Sequence, residues 1–147
     1  MRNLKTLCLS LIFWRSSAFA APREYAVQVV EHWVKAFTEA DVDTIVSLYA
    51  SDAVFIGTGS KTIVTKPEDI KQYFQEALLG NRRFVVTLVE SSVKPVSETV
   101  FVVTALDKLV VSADGKTQDV FGRVTFVLAK RESSWKIVSF HRSAMPA

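Results

Sequence analysis

FVVTLVESSVKPV, residues 84–96, is the first of four strand-like runs that follow one another after Gly80. Apolar residues recur with a period of two, and valine, threonine and phenylalanine are frequent, as is typical of strands. Asp114 and Gly115 provide a turn signal between two of the runs. The second half of the chain therefore predicts an antiparallel sheet. The other three runs are TVFVVTALDKLVV (99–111), TQDVFGRVTFVLAK (117–130) and WKIVSFHRSAM (135–145).

Before Gly80 the apolar period is that of helices. Residues 25–40 have one apolar face, and Asp41 or Asp43 can cap a short second helix ending near Tyr49. A small hairpin is predicted over residues 53–65. Thr65 and Glu68 have capping-box spacing at the start of a third helix. Helices first and long strands last indicate an α+β fold, with one curved, mainly antiparallel sheet around the helices.

The first twenty residues have the pattern of a secretory signal peptide. Arg2 and Lys5 precede the apolar run TLCLSLIFW, and the small residues Ala18 and Ala20 stand two apart. The apolar run is about half as long as the ~20 residues that a membrane span needs, which argues against the alternative of an anchor. We predict cleavage after Ala20, leaving residues 21–147 as a single domain.

The net charge of +3 comes from the predicted signal peptide. Arg2, Lys5 and Arg15 lie within it, so the mature chain has equal numbers of acidic and basic residues. No long basic run remains to follow a nucleic-acid backbone, so neither nucleic acid nor membrane is an expected partner of the mature form. Cys8, the only cysteine, also lies in the predicted signal peptide and would be removed with it. A cysteine-free exported domain predicts a secreted, periplasmic protein.

Two stretches resemble a known superfamily. LYASDAVFIGTGSKT (48–62), followed by a helix with QYF, and RVTFVLAKRESSWKIVSFHRSAMP (123–146) are similar to nuclear transport factor 2-like (SnoaL-like) proteins, and to their SgcJ/EcaC branch in particular. The ending is also similar to that of the association (hub) domain of calcium/calmodulin-dependent protein kinase II. This resemblance implies a cone-shaped, cystatin-like fold.

The resemblance leaves the chemistry open, because the superfamily includes isomerases, dehydratases and oligomerisation modules. We expect a dimerising, small-ligand-binding domain. The alternatives are a cofactor-free isomerase or dehydratase, and a purely structural oligomerisation module. No GxGxxG or haem motif is present, and the two histidines lack metal-ligand spacing, so no cofactor or metal is expected.

Five aromatic residues on different predicted elements are candidates for the wall of an apolar cavity, as the resemblance implies. The alternative for each is ordinary core packing, the commoner role of large aromatics. They are Trp33, Tyr49, Phe55, Tyr73 and Phe74.

Charged residues inside the predicted strands are the candidates for chemistry. Asp107 is the best candidate for a catalytic base, with His141 as a weaker one. Lys108 must point to the face opposite Asp107, but the sequence does not show which of the two faces inward. Arg123 is either a solvated edge residue or a charge placed in a cavity. We expect Arg142, with Arg123 or Lys108 nearby, to bind a carboxylate.

The final strand separates its two charged candidates. Strict alternation puts Trp135, Ile137 and His141 on one face, and Phe140 and Arg142 on the other, unless a bulge intervenes. The resemblance implies a cavity role for Arg142, which matches the arginine of the F-H-R-S stretch in hub domains. This chain differs at two positions of the other wall, where it has Ile70 and Leu78 and those domains have a histidine and an aromatic residue. The alternative is that His141 and Arg142 are packing and surface residues.

Self-association is expected from the second face of the sheet. Helices cover one face, so a monomer would leave valines such as Val100, Val102 and Val110 on the other. Exposed apolar patches of this kind mark interaction surfaces, which predicts a homodimer.

Overall fold

The computed structural model describes residues 20–146, so the predicted signal peptide lies outside the described residues apart from Ala20. Within the described residues, three helices and five strands form the domain. In chain order they are α1 (Ala20–Thr38), α2 (Val42–Ser47), β1 (Tyr49–Ile56), α3 (Pro67–Leu78), β2 (Arg83–Ser97), β3 (Val100–Ala113), β4 (Lys116–Arg131) and β5 (Ser134–Ala144).

The strands form one sheet in the order β1-β5-β4-β3-β2. β2 to β5 pair as antiparallel neighbours, whereas β1 runs parallel to β5, with Val54 opposite Ser139. The helices pack against the curved sheet and shield its inner face. This arrangement confirms the predicted α+β class and the curved, mainly antiparallel sheet.

α1 places its apolar stripe against the sheet because Ala26, Val30 and Trp33 recur at helical spacing, and all three are buried. Asp41 is the cap of α2. Its Oδ1 accepts from the Thr44 amide at 3.0 Å and its Oδ2 from the Thr44 hydroxyl at 2.6 Å. These hydrogen bonds lower the pKa of Asp41 because they favour its charged form.

Three local predictions were wrong. Tyr49 begins β1 instead of ending the second helix. The hairpin over residues 53–65 is reduced to a single antiparallel bridge between Phe55 and Val64. Lys66 is the N-cap residue of α3 and makes no side-chain capping bond, so the predicted capping box does not form. Pro67 in the first turn fits the start of that helix.

A bulge in β5 sets which of its side chains reach the interior. Val127 pairs with Ser139 and Leu128 with Ile137, so Val138 is an extra residue on β5. Ile137 and Phe140 both lie in the core as a result. The predicted alternation was therefore wrong for Ile137 but right in separating buried Arg142 from exposed His141.

The core is rich in aromatic rings in edge-to-face and stacked contact. Phe126 lies at its centre, with its ring 5.3 Å from that of Trp33 and 5.1 Å from that of Phe140. Among residues 20–146, no helix combines the length and apolar character needed to cross a membrane.

Candidate functional site

A cavity of about 460 Å³ opens between the helices and the inner face of the sheet. This volume lies within the range of about 300–1,000 Å³ that is usual for small-molecule sites. α1, α3 and the loop after β1 form one wall, and strands β2 to β5 form the other. The lining residues are Trp33, Phe37, Gly57, Thr58, Gly59, Tyr73, Phe74, Glu76, Ala77, Arg82, Phe84, Leu109, Val111, Val120, Phe140 and Arg142.

Six of the sixteen residues that line the cavity are aromatic. The rings of Trp33 and Phe37 stack with centroids 4.9 Å apart, and Phe84 meets Phe37 edge to face at 5.9 Å. Phe140 of β5, on the sheet side of the cavity, lies 5.3 Å from Trp33 of α1. Such rings fix one another by packing, and they offer apolar faces to a ligand.

Arg142 is the buried charged residue of the cavity lining. It is 8% exposed, and Nε donates to Oδ2 of Asp107 at 2.8 Å. Nη2 donates to Oδ1 of the same carboxylate at 2.6 Å, and Nη1 donates to the Thr58 hydroxyl at 2.8 Å. Three separate nitrogens are thus held, so the guanidinium has a fixed orientation.

Asp107 lies behind Arg142 and outside the cavity lining. It is 2% exposed, and both carboxylate oxygens accept from the guanidinium. The backbone of Gly122, directly opposite Asp107 on β4, passes against the ion pair. A Cβ placed there would clash with the Arg142 guanidinium and lie 2.8 Å from Asp107 Oδ1. In its present position the pair leaves no room for a side chain at residue 122.

The loop after β1 closes over Arg142. The Gly57 amide donates to the Ser60 hydroxyl at 2.9 Å, and the Gly59 amide donates to the Tyr73 hydroxyl at 3.3 Å. Thr58 Oγ1 also lies 3.3 Å from the Arg142 carbonyl oxygen, to which it donates. Tyr73 on α3 and Arg142 on β5 thus hold the loop from two sides.

A sequence profile described as the SnoaL-like domain matches residues 27–147. The chain belongs to the SnoaL-like domain family. No curated protein matches the sequence. The family match confirms the predicted superfamily and does not distinguish the SgcJ/EcaC branch, which stays a prediction.

Solved structures similar to this SnoaL-like domain differ in their described functions. A Xanthomonas campestris protein, provisionally described as a calcium/calmodulin-dependent protein kinase II association domain, is 28% identical with a TM-score of 0.73, covering 82% of this chain and 85% of its own. A ketosteroid isomerase-like protein from Erwinia carotovora is 16% identical, with a TM-score of 0.74 and coverage of 88% and 100%. A Streptomyces avermitilis protein, provisionally described as a dehydratase, is 14% identical, with a TM-score of 0.77 and coverage of 84% and 96%. The two lower identities show the fold alone.

Four of the predicted ligand-binding residues line the cavity of the SnoaL-like domain: Trp33, Tyr73, Phe74 and Arg142. Tyr49 and Phe55 are instead buried in the core and do not line it. Trp33 Nε1 donates to the Tyr49 hydroxyl at 3.1 Å. Burial raises the pKa of Tyr49 well above its usual range, because the phenolate would lose its water.

The remaining charged candidates lie elsewhere. Lys108 pairs with Asp119 on the neighbouring strand, with Nζ 2.8 Å from Oδ2. Arg123 and His141 are both exposed. The predicted grouping of Arg142 with Arg123 or Lys108 is therefore wrong. Arg123 and Lys108 alternate along their strands with buried residues, so their side chains face away from the cavity. Across residues 20–146, no three His, Cys, Asp or Glu side chains come close enough together to hold a metal ion.

Thr58, Arg82 and Gly122 are among the residues of the site that were not predicted from sequence. Gly122 carried a usable signal, since a glycine inside a long strand often marks the close approach of another group. Thr58 and Arg82 carried none, because a polar loop residue and an arginine after a helix are ordinary surface features.

Proposed function

We propose that this SnoaL-like domain binds a small, largely apolar molecule that carries a hydrogen-bond acceptor, with a carboxylate as the expected group. The observation that carries the proposal is the position of Arg142, a buried and fixed guanidinium in the lining of an open aromatic cavity. A few polar groups in an apolar cavity are the usual composition of a small-molecule site.

Arg142 retains donors for a ligand. A guanidinium has five N–H groups, and the described hydrogen bonds use one each from Nε, Nη1 and Nη2. One N–H on each terminal nitrogen is left, and no other described residue accepts from it. A carboxylate or carbonyl oxygen that reached Arg142 would satisfy these donors without disturbing Asp107.

Turnover is less well supported by the geometry than binding. Both oxygens of Asp107 are engaged by Arg142, so this carboxylate positions the guanidinium and is not free to abstract a proton. His141 is exposed on the other face of the sheet. A purely structural module is also less well supported, because side chains do not fill the cavity.

The test of the proposal is a thermal-shift and calorimetric screen of small carboxylic acids against the purified protein. Removal of Arg142 alone would leave Asp107 buried and unpaired, so the informative variant is the double substitution Arg142→Met with Asp107→Leu, which removes the buried pair together. Arg123→Gln, on the opposite face, is the control. We expect binding to wild type and Arg123→Gln and none to the double variant. Equal binding by all three would overturn the proposal.

We also propose two properties of the whole protein. The first is export with removal of residues 1–20, which the sequence pattern supports. The mass of the protein recovered from cell fractions tests it. The second is homodimerisation through the outer face of the sheet, where Leu106 and Phe121 on adjacent strands are 36% and 48% exposed.

A further inference from the structure

The mouth of the cavity carries a second arginine that has no assigned role. Arg82 lies just before β2, is exposed and lines the cavity together with Arg142. Its guanidinium carbon lies 5.5 Å from the centre of the Phe84 ring, which also belongs to the cavity wall. The side chain is thus held over an aromatic face at the entrance.

The two arginines differ in how their charge is met. Arg142 is paired with Asp107 through two hydrogen bonds, so the inner end of the cavity has little net charge. Within residues 20–146, Arg82 makes no ion pair and no hydrogen bond. Arg82 is therefore the cation that the cavity offers to a ligand anion, whereas Arg142 offers neutralised N–H donors.

Glu76 is the other charged residue at this site. It lines the cavity, is exposed, and its Oε1 accepts from Gln72 one turn earlier on α3 at 2.8 Å. Its negative charge opposes an anion at the mouth, so the effects of Glu76 and Arg82 on an acidic ligand must have opposite signs.

We propose that Arg82 binds an anionic group of the ligand at the cavity mouth, while a second acceptor of the same ligand meets Arg142. The ligand class is then an acid with an apolar body and a polar far end, such as an ω-oxo, ω-hydroxy or dicarboxylic acid. The inference rests on the proposed function and extends it, because it assigns two polar ends and an orientation to the ligand.

The experiment measures dissociation constants for a series of straight-chain dicarboxylates from succinate to sebacate, with their monomethyl and dimethyl esters. Five proteins are compared: wild type, Arg82→Gln, Arg82→Lys, Arg83→Gln and Glu76→Gln. Arg83 is the matched control, since it is adjacent and exposed but does not line the cavity. Loss of one exposed charge contact is expected to weaken binding by up to about fivefold.

We expect the best dicarboxylate to bind Arg82→Gln about twofold to fivefold more weakly, with recovery in Arg82→Lys and no change in Arg83→Gln. Glu76→Gln should strengthen the same binding. The dimethyl esters should not distinguish the variants. The inference is overturned if Arg82→Gln and Arg83→Gln behave alike, or if diacids bind no better than their dimethyl esters. If no acid binds to the wild-type protein, the proposed function itself is rejected.

Discussion

The guanidinium of Arg142 and the carboxylate of Asp107 meet through two parallel hydrogen bonds, from Nε to Oδ2 at 2.8 Å and from Nη2 to Oδ1 at 2.6 Å. The residues come from β5 and β3, which are separated by β4. The ion pair therefore spans three strands across the inner face of the sheet. It connects the stability of the sheet to the geometry of the cavity.

Removal of one partner should be far more harmful than removal of both. We expect Asp107→Ala to lower the free energy of unfolding by about 3–5 kcal/mol, because it leaves a buried guanidinium uncompensated. The double variant Arg142→Met with Asp107→Leu should stay close to wild type. Urea unfolding monitored by tryptophan fluorescence measures both. A loss of under about 1 kcal/mol in the single variant would show that water reaches Arg142 and replaces Asp107.

Gly122 should not tolerate even a methyl group. Gly122→Ala places a Cβ against the Arg142 guanidinium and 2.8 Å from Asp107 Oδ1. We expect a loss of about 1–3 kcal/mol of stability, typical of overpacking, together with weaker acid binding. Gly80→Ala is the control, since a Cβ at Gly80 meets nothing within 4 Å. Equal thermal midpoints for the two variants would contradict this account.

Ligand binding should be more sensitive to an added methyl group at Gly57 than at Gly59, although both glycines lie in the loop over Arg142. A Cβ at Gly57 would clash with the Tyr73 hydroxyl and lie 2.9 Å from the Phe55 ring, whereas a Cβ at Gly59 comes no closer than 3.8 Å to Tyr73. We expect Gly57→Ala to displace Tyr73, and to weaken ligand binding more than Gly59→Ala does. Calorimetry on both variants measures the difference, and a larger effect at Gly59 would refute the assigned contact.

Tyr49 should make stability sensitive to alkaline pH. Burial raises its folded-state pKa well above the usual value, so its contribution is fully present below about pH 10, where the unfolded tyrosine ionises. Above that pH the unfolded state holds fewer protons than the folded state, and stability falls as pH rises. In Tyr49→Phe this fall should be smaller, although the variant loses about 1–3 kcal/mol at neutral pH because Trp33 Nε1 lacks its acceptor. Parallel pH slopes for the two proteins in urea unfolding would argue against it.

The proposed dimer should depend on the outer face of the sheet. We expect light scattering at micromolar concentration to give a dimer mass for wild type, and a mass nearer one subunit for Phe121→Ser, because the substitution removes a large apolar contact. Ile63→Ser is the control, since Ile63 is 62% exposed but lies outside the sheet. A single-subunit mass for wild type would reject the proposal.

The sequence predicted the helices and long strands well, because their apolar periods are regular. It could not place the site in full. Tyr49 fitted the end of a helix by spacing, and the parallel pairing with β5 overrode that preference. The sequence did not show whether Asp107 or Lys108 faces inward. Asp107 does so because it pairs with Arg142, which lies two strands away. The bulge at Val138 reset the register of β5, and no local residue signalled it.

The parallel pairing of β1 with β5 also bears on how the domain folds. β5 lies between β1 and β4, so β1 can join the sheet only after β5 is in place, although the two strands are distant in sequence. Closure of so long a loop is entropically unfavourable until the contacts form, and non-local strand pairing of this kind slows folding toward milliseconds to seconds. We therefore expect β2 to β4 to be paired in the folding transition state, while β1 is still free. Folding φ-values should then be low for substitutions at Val54 in β1 and high at Val103 in β3.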